Sequence, residues 1–262
     1  ASSTQLGSVV VTAQSRKQQA EDVPIAMQIV NAKSIETHAA SDISKMDIFV
    51  PGLVVGAGQP TQPSYQLRGI GSSGFGIGAD PAVGVYVDSV YSARSGAALL
   101  AFNDVQRVEV LKGPQGTLFG RNAAAGAISI NTNKPSDHFE ARGRVRIGNY
   151  GKRYGDVLLN IPAGESMAFR LNLVDHQSDG WVQDDATGRH YGKEDDWGSR
   201  LSWRWDVGAN TQLLVDWEHE RLKIHHYGRL KAFRAVYQNY YLFGQTLIDK
   251  VAIIAGIEKK FT

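Results

Sequence analysis

Gly69-Ile70-Gly71-Ser72-Ser73-Gly74 reproduces the glycine spacing with which a backbone wraps a dinucleotide pyrophosphate, and it follows a strand-like stretch over 65–68. Asp88 stands near the separation at which such sites place a ribose-binding acid. That chemistry also needs a helix to open inside the motif, because the helix N-terminus holds the phosphate charge. The chain instead continues Phe75-Gly76-Ile77-Gly78-Ala79-Asp80-Pro81, whose breakers forbid the helix, so a flexible loop is expected. Glu218, His219, Glu220, His225 and His226 are metal-ligating types, yet their spacing does not gather ligands on one face, and a solvated polar loop is expected there. No nucleophile–base set, carboxylate pair or phosphate loop stands out. These residues argue for no enzyme, no cofactor and no metal centre.

The chain has 262 residues with 42% hydrophobic, enough for one or two domains with a core. Its 28 basic and 26 acidic residues leave a net charge of +2, with no basic run to serve nucleic acid. The 28 glycines favour turns and close strand packing over helix bundles, and cysteine is absent. No apolar run approaches the ~20 residues of a membrane-spanning helix, a test to which a β-barrel is blind. Ala1-Ser2-Ser3-Thr4 begins polar and small, as after cleavage of a leader, and equally as in a cytoplasmic or trimmed chain.

Four regions are expected. Residues 1–22 read as a flexible arm, polar except for Val9-Val10-Val11. Residues 23–136 read as a small α+β domain, with a strand over 24–30 and a helix capped by Ser34 ahead of Ile35. A turn capped by Ser41 or Asp42 follows, stopped by Pro51-Gly52, then short strands over 65–68, 83–87, 107–111 and 126–132. In residues 137–222 the period becomes two. Val145 and Ile147 alternate with Arg144 and Arg146, Phe169 and Leu171 with Arg170 and Asn172, and Trp203 and Trp205 with Arg204 and Asp206. Leu213, Val215 and Trp217 likewise oppose Gln212, Asp216 and Glu218, while Val157, Leu159 and Ile161 supply a less regular strand. This is the pattern of transmembrane barrel strands, and equally of a soluble antiparallel sheet with one wet face. Short connections at Tyr150-Gly151, 162–165 and 207–210, with one long polar loop over 175–196, suit a barrel entered from the periplasm. Residues 223–262 stay unassigned, with 251–261 as one candidate strand.

The segment that decides the family runs from 67 to 135. Leu67-Arg68-Gly69-Ile70, then Val85-Tyr86-Val87-Asp88-Ser89-Val90-Tyr91, are followed by Arg107-Val108-Glu109-Val110-Leu111-Lys112-Gly113-Pro114-Gln115-Gly116-Thr117-Leu118-Phe119-Gly120-Arg121-Asn122 and Gly126-Ala127-Ile128-Ser129-Ile130. In this order and spacing they closely resemble the plug domain of TonB-dependent outer-membrane receptors, over about residues 9–136. Asp88-Ser89 stands where the family has aspartate–glycine. Gly113-Pro114-Gln115-Gly116 reads as a turn closing the 107–111 strand.

The resemblance implies a mixed α+β plug domain followed by antiparallel transmembrane β-barrel strands, with the barrel incomplete in this chain. Ser8-Val9-Val10-Val11-Thr12-Ala13 looks like a TonB box, an extended segment that adds as a strand to the periplasmic partner TonB. Arg68, Arg107 and Glu109 would meet the barrel wall, with Val108 and Val110 turned to the plug core. Gln59, Ser72, Ser73, Phe75, Tyr91 and Arg94 would grip an extracellular ligand on the upper loops, over 56–63, 71–79 and 91–96. The implied function is energy-coupled import across the bacterial outer membrane, most often of a ferric siderophore. Cobalamin, a sugar or another metal chelate stays open, as does a soluble periplasmic plug-like module without transport. Enclosing a plug of radius of gyration near ~13 Å takes a barrel of the ~22-strand class, whereas the rest of the chain supplies roughly five to eight strands. Because lipid tolerates no open sheet edge, this chain is expected to be part of a transporter, with 223–262 a distant segment or an aberrant tail.

Overall fold

A computed structural model of the chain describes residues 10–11, 18–19, 22–38, 40, 42–56, 63–72, 80–92, 103–180, 182–183, 188, 190–208, 211–224, 245–250 and 258–259. The chain forms two compact units, Ala1–Thr132 and Asn133–Thr262. In the arm, β1 (Val10–Val11) pairs antiparallel with β2 (Gln18–Gln19).

The first unit mixes helix and strand, as expected of the α+β fold. Strand β3 (Met27–Asn31) leads into α1 (Ala32–Thr37). Asn31, not Ser34, caps that helix: its side-chain oxygen accepts from the Ser34 N–H at 2.8 Å, which places Ser34 inside the first turn. Asp42 caps the next element, a 3-10 helix (Ile43–Ile48), in the same way, and Ile43 and Met46 go fully into the core. A three-stranded meander follows, β4 (Leu53–Gly56), β5 (Ser64–Leu67) and β6 (Ile70–Gly71). The main sheet adds β7 (Val83–Val87), β8 (Val90–Tyr91), β9 (Val105–Lys112) and, after the short helix α2 (Gly116–Phe119), β10 (Gly126–Thr132). Its order is β3-β9-β10-β7-β8, with β10 and β7 parallel and the other pairs antiparallel. Val108 and Val110 of β9 are wholly buried in the core with Ile128, Leu67 and Met46. Gly126 is where the two sheets meet closely. A Cβ there would fall 2.3 Å from the Leu111 carbonyl oxygen and 2.5 Å from Leu67 Cδ2, so only glycine admits this contact.

The second unit is a meander of long strands. β11 (Glu140–Ile147), β12 (Arg153–Ala163) and β13 (Met167–Ser178) are followed by a small hairpin, β14 (Val182–Gln183) with β15 (His190–Tyr191). Then come β16 (Glu194–Asp206) and β17 (Thr211–Ile224). Sequence neighbours pair antiparallel in the order β11-β12-β13-β16-β17-β18, where β18 is Gln245–Lys250, and β19 (Glu258–Lys259) also pairs with β17. Strands of 11 to 14 residues in β12, β13, β16 and β17 are long enough to cross a bilayer when tilted.

Several boundaries move. Pro162 lies inside β12, so the turn to β13 is 164–166, with Gly164 at φ +75°. The long connection narrows to 179–193 because β13 and β16 run on in register to Ser178 and Glu194. In the tail the six-residue strand is Gln245–Lys250, and residues 251–257 lie outside the described residues. Tyr150 and Gly151 both have positive φ, +60° and +65°, the conformation of a tight hairpin turn as expected.

Candidate functional site

In its described part, residues 69–72, the glycine motif after β5 opens no helix, and 73–79 lie outside the described residues. Arg68 and Gly69 turn the chain at φ +53° and +78°, and Ile70–Gly71 return as β6. With strand where a pyrophosphate site needs a helix N-terminus, the dinucleotide chemistry has no scaffold. The carboxylate and imidazole group resolves just as simply. Glu218, His219 and Glu220 lie within β17 rather than in a loop, so alternation sends His219 to the face opposite both glutamates. His225 and His226 lie outside the described residues, and no group able to hold a metal occurs among the described ones.

Of the residues expected to touch ligand, Gln59, Ser73, Phe75 and Arg94 lie outside the described residues. Ser72 is half-buried just beyond β6. The Tyr91 hydroxyl accepts from Asn122 Nδ2 at 2.7 Å, and its ring lies 5.4 Å from that of Tyr86. Tyr86 in turn donates to the Phe119 carbonyl at 2.7 Å, and desolvation, reinforced by Tyr91, pushes its phenol above the usual range. Within the coupling segment, Val10 and Val11 form β1, whereas Ser8, Val9, Thr12 and Ala13 lie outside the described residues. Arg68 is exposed, with its N–H donating to the Gly52 carbonyl at 2.7 Å. Arg107 Nε donates to Glu109 Oε1 at 2.6 Å, so the two share a face of β9 as their spacing requires. Glu109 is fully buried and therefore belongs to no solvated surface.

The second unit carries the larger site, a charged face. Asp156 is 3% exposed and Arg200 is 3%, whereas Val145 is 79% exposed and Ile147 is 84%. A soluble sheet would show the reverse. On the polar face Arg144 Nε meets Asp156 Oδ1 at 2.5 Å and Arg142 lies 3.9 Å from the same carboxylate. Arg170 pairs with Glu140 at 3.0 Å, and Arg200 reaches both Asp216 and Glu218 at 3.5 Å. Ser202 also donates to Asp216. Buried charges persist where each has an opposite partner within reach, and these cross-strand pairs supply one.

The opposite face is apolar, with aromatic side chains at its two ends. Phe169 stacks on Trp203 at 6.3 Å and Trp203 on Trp205 at 5.9 Å, beside the short turns. Trp197 and His219, 4.9 Å apart, lie toward the end that carries the 179–193 connection. Between them run Leu159, Leu171, Leu173 and Leu201, an aliphatic band flanked by aromatic girdles as in a lipid-facing barrel wall.

A strap leads into this sheet. Asn160, fully buried on β12, accepts from the Ser136 N–H at 3.1 Å and donates to the carbonyls of Ser136 at 3.0 Å and His138 at 2.6 Å. Arg204 holds the Pro135 carbonyl at 2.9 Å and the Asp137 carboxylate, and Lys134 lies 3.8 Å from Asp216. Composition could have flagged Asn160 and Arg204 as polar residues in strands. Their strap partners lie more than twenty residues away, and nothing in the local pattern points to them.

Known proteins give this geometry a context. A profile of the TonB-dependent receptor plug domain matches residues 19–127. The pesticin receptor of Yersinia pestis is 32% identical over 128 residues, covering 48% of this chain and 19% of that protein. The catecholate siderophore receptor Fiu of Escherichia coli K12 is 27% identical over 198 residues, covering 76% of this chain and 24% of that protein. The chain thus spans about a fifth to a quarter of these relatives' length. In fold, it superposes on the ferric yersiniabactin uptake receptor FyuA of Y. pestis with a TM-score of 0.70 at 24% identity, over 76% of this chain and 32% of that one. The ferripyoverdine receptor of Pseudomonas aeruginosa also gives 0.70, at 16% identity, over 82% of this chain and 28% of that one. Residues 19–127 thus match the plug domain of the TonB-dependent receptors, a family of transport receptors and not of enzymes, and the antiparallel strands behind them share the fold of solved receptors of that kind.

Proposed function

We propose that this chain is part of an outer-membrane receptor that imports a ferric siderophore with energy delivered by TonB. The observation that carries the membrane assignment is the inverted sheet, with charges buried and leucine, valine and tryptophan exposed. The same inversion disfavours a soluble periplasmic module, which would place its apolar face inside. The siderophore is favoured over cobalamin or a sugar because the relatives are named as catecholate, yersiniabactin and pyoverdine receptors.

In this reading the chain sits in the bacterial outer membrane. Ser8-Val9-Val10-Val11-Thr12-Ala13 is the segment offered to TonB, and Arg68, Arg107 and Glu109 hold the plug in its barrel. Gln59, Ser72, Ser73, Phe75, Tyr91 and Arg94 belong to the ligand-facing loops. TonB binding adds the coupling segment to a sheet edge, so main-chain hydrogen bonds carry the contact. Val11→Pro removes one donor and fixes the backbone, and is expected to abolish radio-iron uptake while surface binding of the ferric chelate stays at the wild-type level. Uptake at the wild-type rate in that variant would place energy coupling elsewhere.

A further inference from the structure

The valine segment of the arm is already paired within the chain. β1 (Val10–Val11) runs antiparallel to β2 (Gln18–Gln19), with Val10 opposite Gln19 and Val11 opposite Gln18. Among the described residues these two strands form a sheet of their own, joined by no third strand. In an antiparallel ladder neighbouring pairs alternate. One pair exchanges both of its hydrogen bonds, and the next turns its N–H and C=O groups outward. Of these two consecutive pairs, one therefore holds the hairpin together. The other leaves one valine's N–H and C=O on the outer edge of β1.

Such a hairpin is incomplete in two ways. Two strands alone are marginal in water and gain independent stability when a third joins them. Oε1 of Gln18 and Oε1 of Gln19 are also out of solvent, with no hydrogen-bond donor among the described residues. A covered acceptor without a donor is unfavourable. A partner strand laid along the hairpin answers the first need, and donors on its side chains answer the second. Valine is a strong strand former, so the outer edge of β1 is the one offered.

We propose that the arm docks on TonB as a two-stranded hairpin, with TonB's edge strand on the outer edge of Val10–Val11 and Gln18–Gln19 still paired on the inner edge. The inference rests on the reading of residues 8–13 as the coupling segment and adds a second strand to it. Pairing with β2 extends the backbone of Val10 and Val11 before the encounter, which leaves less ordering to the moment of docking. A segment that must first extend binds only in proportion to the fraction already extended.

The test uses the full-length receptor in detergent and, as probe, the purified periplasmic domain of TonB, with affinity read by titration calorimetry. Gln18→Pro together with Gln19→Pro removes both amide donors of β2 and leaves Val10 and Val11 in place. This double variant is expected to bind the TonB domain about fivefold or more weaker than the wild type. Wild-type affinity would mean that Val10–Val11 docks as a lone strand, and tighter binding that β2 covers the edge TonB needs. Either result overturns the hairpin. Because this chain has no cysteine, Val10→Cys with Gln19→Cys offers a cross-strand disulfide with no competitor within it. The oxidised form should bind about threefold or more tighter than the reduced form of the same variant, and equal or weaker binding overturns the proposal. Val11→Pro separates this inference from the reading beneath it. Wild-type binding by Val11→Pro removes the coupling segment and the hairpin together. Loss of binding there, with full binding by the double proline variant, removes the hairpin alone.

Discussion

Asp88 and Tyr65 carry more of the plug than their neighbours suggest. Asp88 and Ser89 both take positive φ, +46° and +71°, at the turn between β7 and β8, a conformation in which glycine usually serves the second position. The Asp88 carboxylate reaches across to accept from the Thr132 N–H at 3.0 Å and the Thr132 hydroxyl at 2.6 Å, pinning the end of β10. Tyr65 is buried on β5, and desolvation first, then the charge of Asp42, raises its phenol far above its ordinary 10.0. The folded plug therefore keeps that proton after the unfolded chain has lost it, so this group lowers stability progressively as pH rises above about 10 and is neutral below it. Tyr65→Phe should shift the alkaline unfolding midpoint of the plug to higher pH, followed by near-ultraviolet circular dichroism. An unchanged midpoint would mean that other groups govern alkaline unfolding.

Among the elements, the strap over 134–137 joins the plug's last strand to the first strand of the sheet and is tied by side chains rather than by a ladder. From a fully buried position Asn160 satisfies the Ser136 N–H and carbonyl in the strap and the His138 carbonyl just after it. Asn160→Ala leaves those groups without their partner, a loss of about 1–3 kcal/mol for each group that water does not reach. Limited proteolysis should then cut 133–139 faster than in the wild type, whereas Val157→Ala, on the exposed face of the same strand, should cut at the wild-type rate. Equal rates in both variants would mean that the strap's order does not depend on Asn160.

For the whole molecule, the decisive property is which face of the long sheet is covered. The apolar face of β12, β13, β16 and β17 presents the row Leu159, Leu171, Leu201 and Trp217, with Phe169 and Trp203 in the next row toward the short turns, and the polar face holds the ion pairs. A charge placed mid-band on the lipid side of such a wall costs about 2–4 kcal/mol. Leu171→Arg should therefore lower the yield of assembled protein in the outer membrane, read by detergent fractionation. Leu171→Phe should assemble normally. Normal assembly of the arginine variant would show that this face meets water.

The sequence alone established the plug, because a long ordered set of motifs from Leu67 to Ile130 leaves little freedom of interpretation. It also placed the strands of the second unit, because period-two alternation is a local property of the chain. What it left open was the solvent, since the same alternation serves a sheet wetted by water on its polar face and one wetted by lipid on its apolar face. The tertiary structure adds which face is covered, by pairing strands in a register that buries Asp156, Arg170, Arg200 and Asp216 and exposes Val145, Ile147 and Trp217. Asn31 and Asn160 were illegible for the same reason. Caps and straps depend on where a backbone N–H lies in space, and many residues near a helix start or within a polar strand carry suitable side chains. Register and long-range contact are properties of the folded chain, set by the whole hydrophobic pattern together, and no local window contains them.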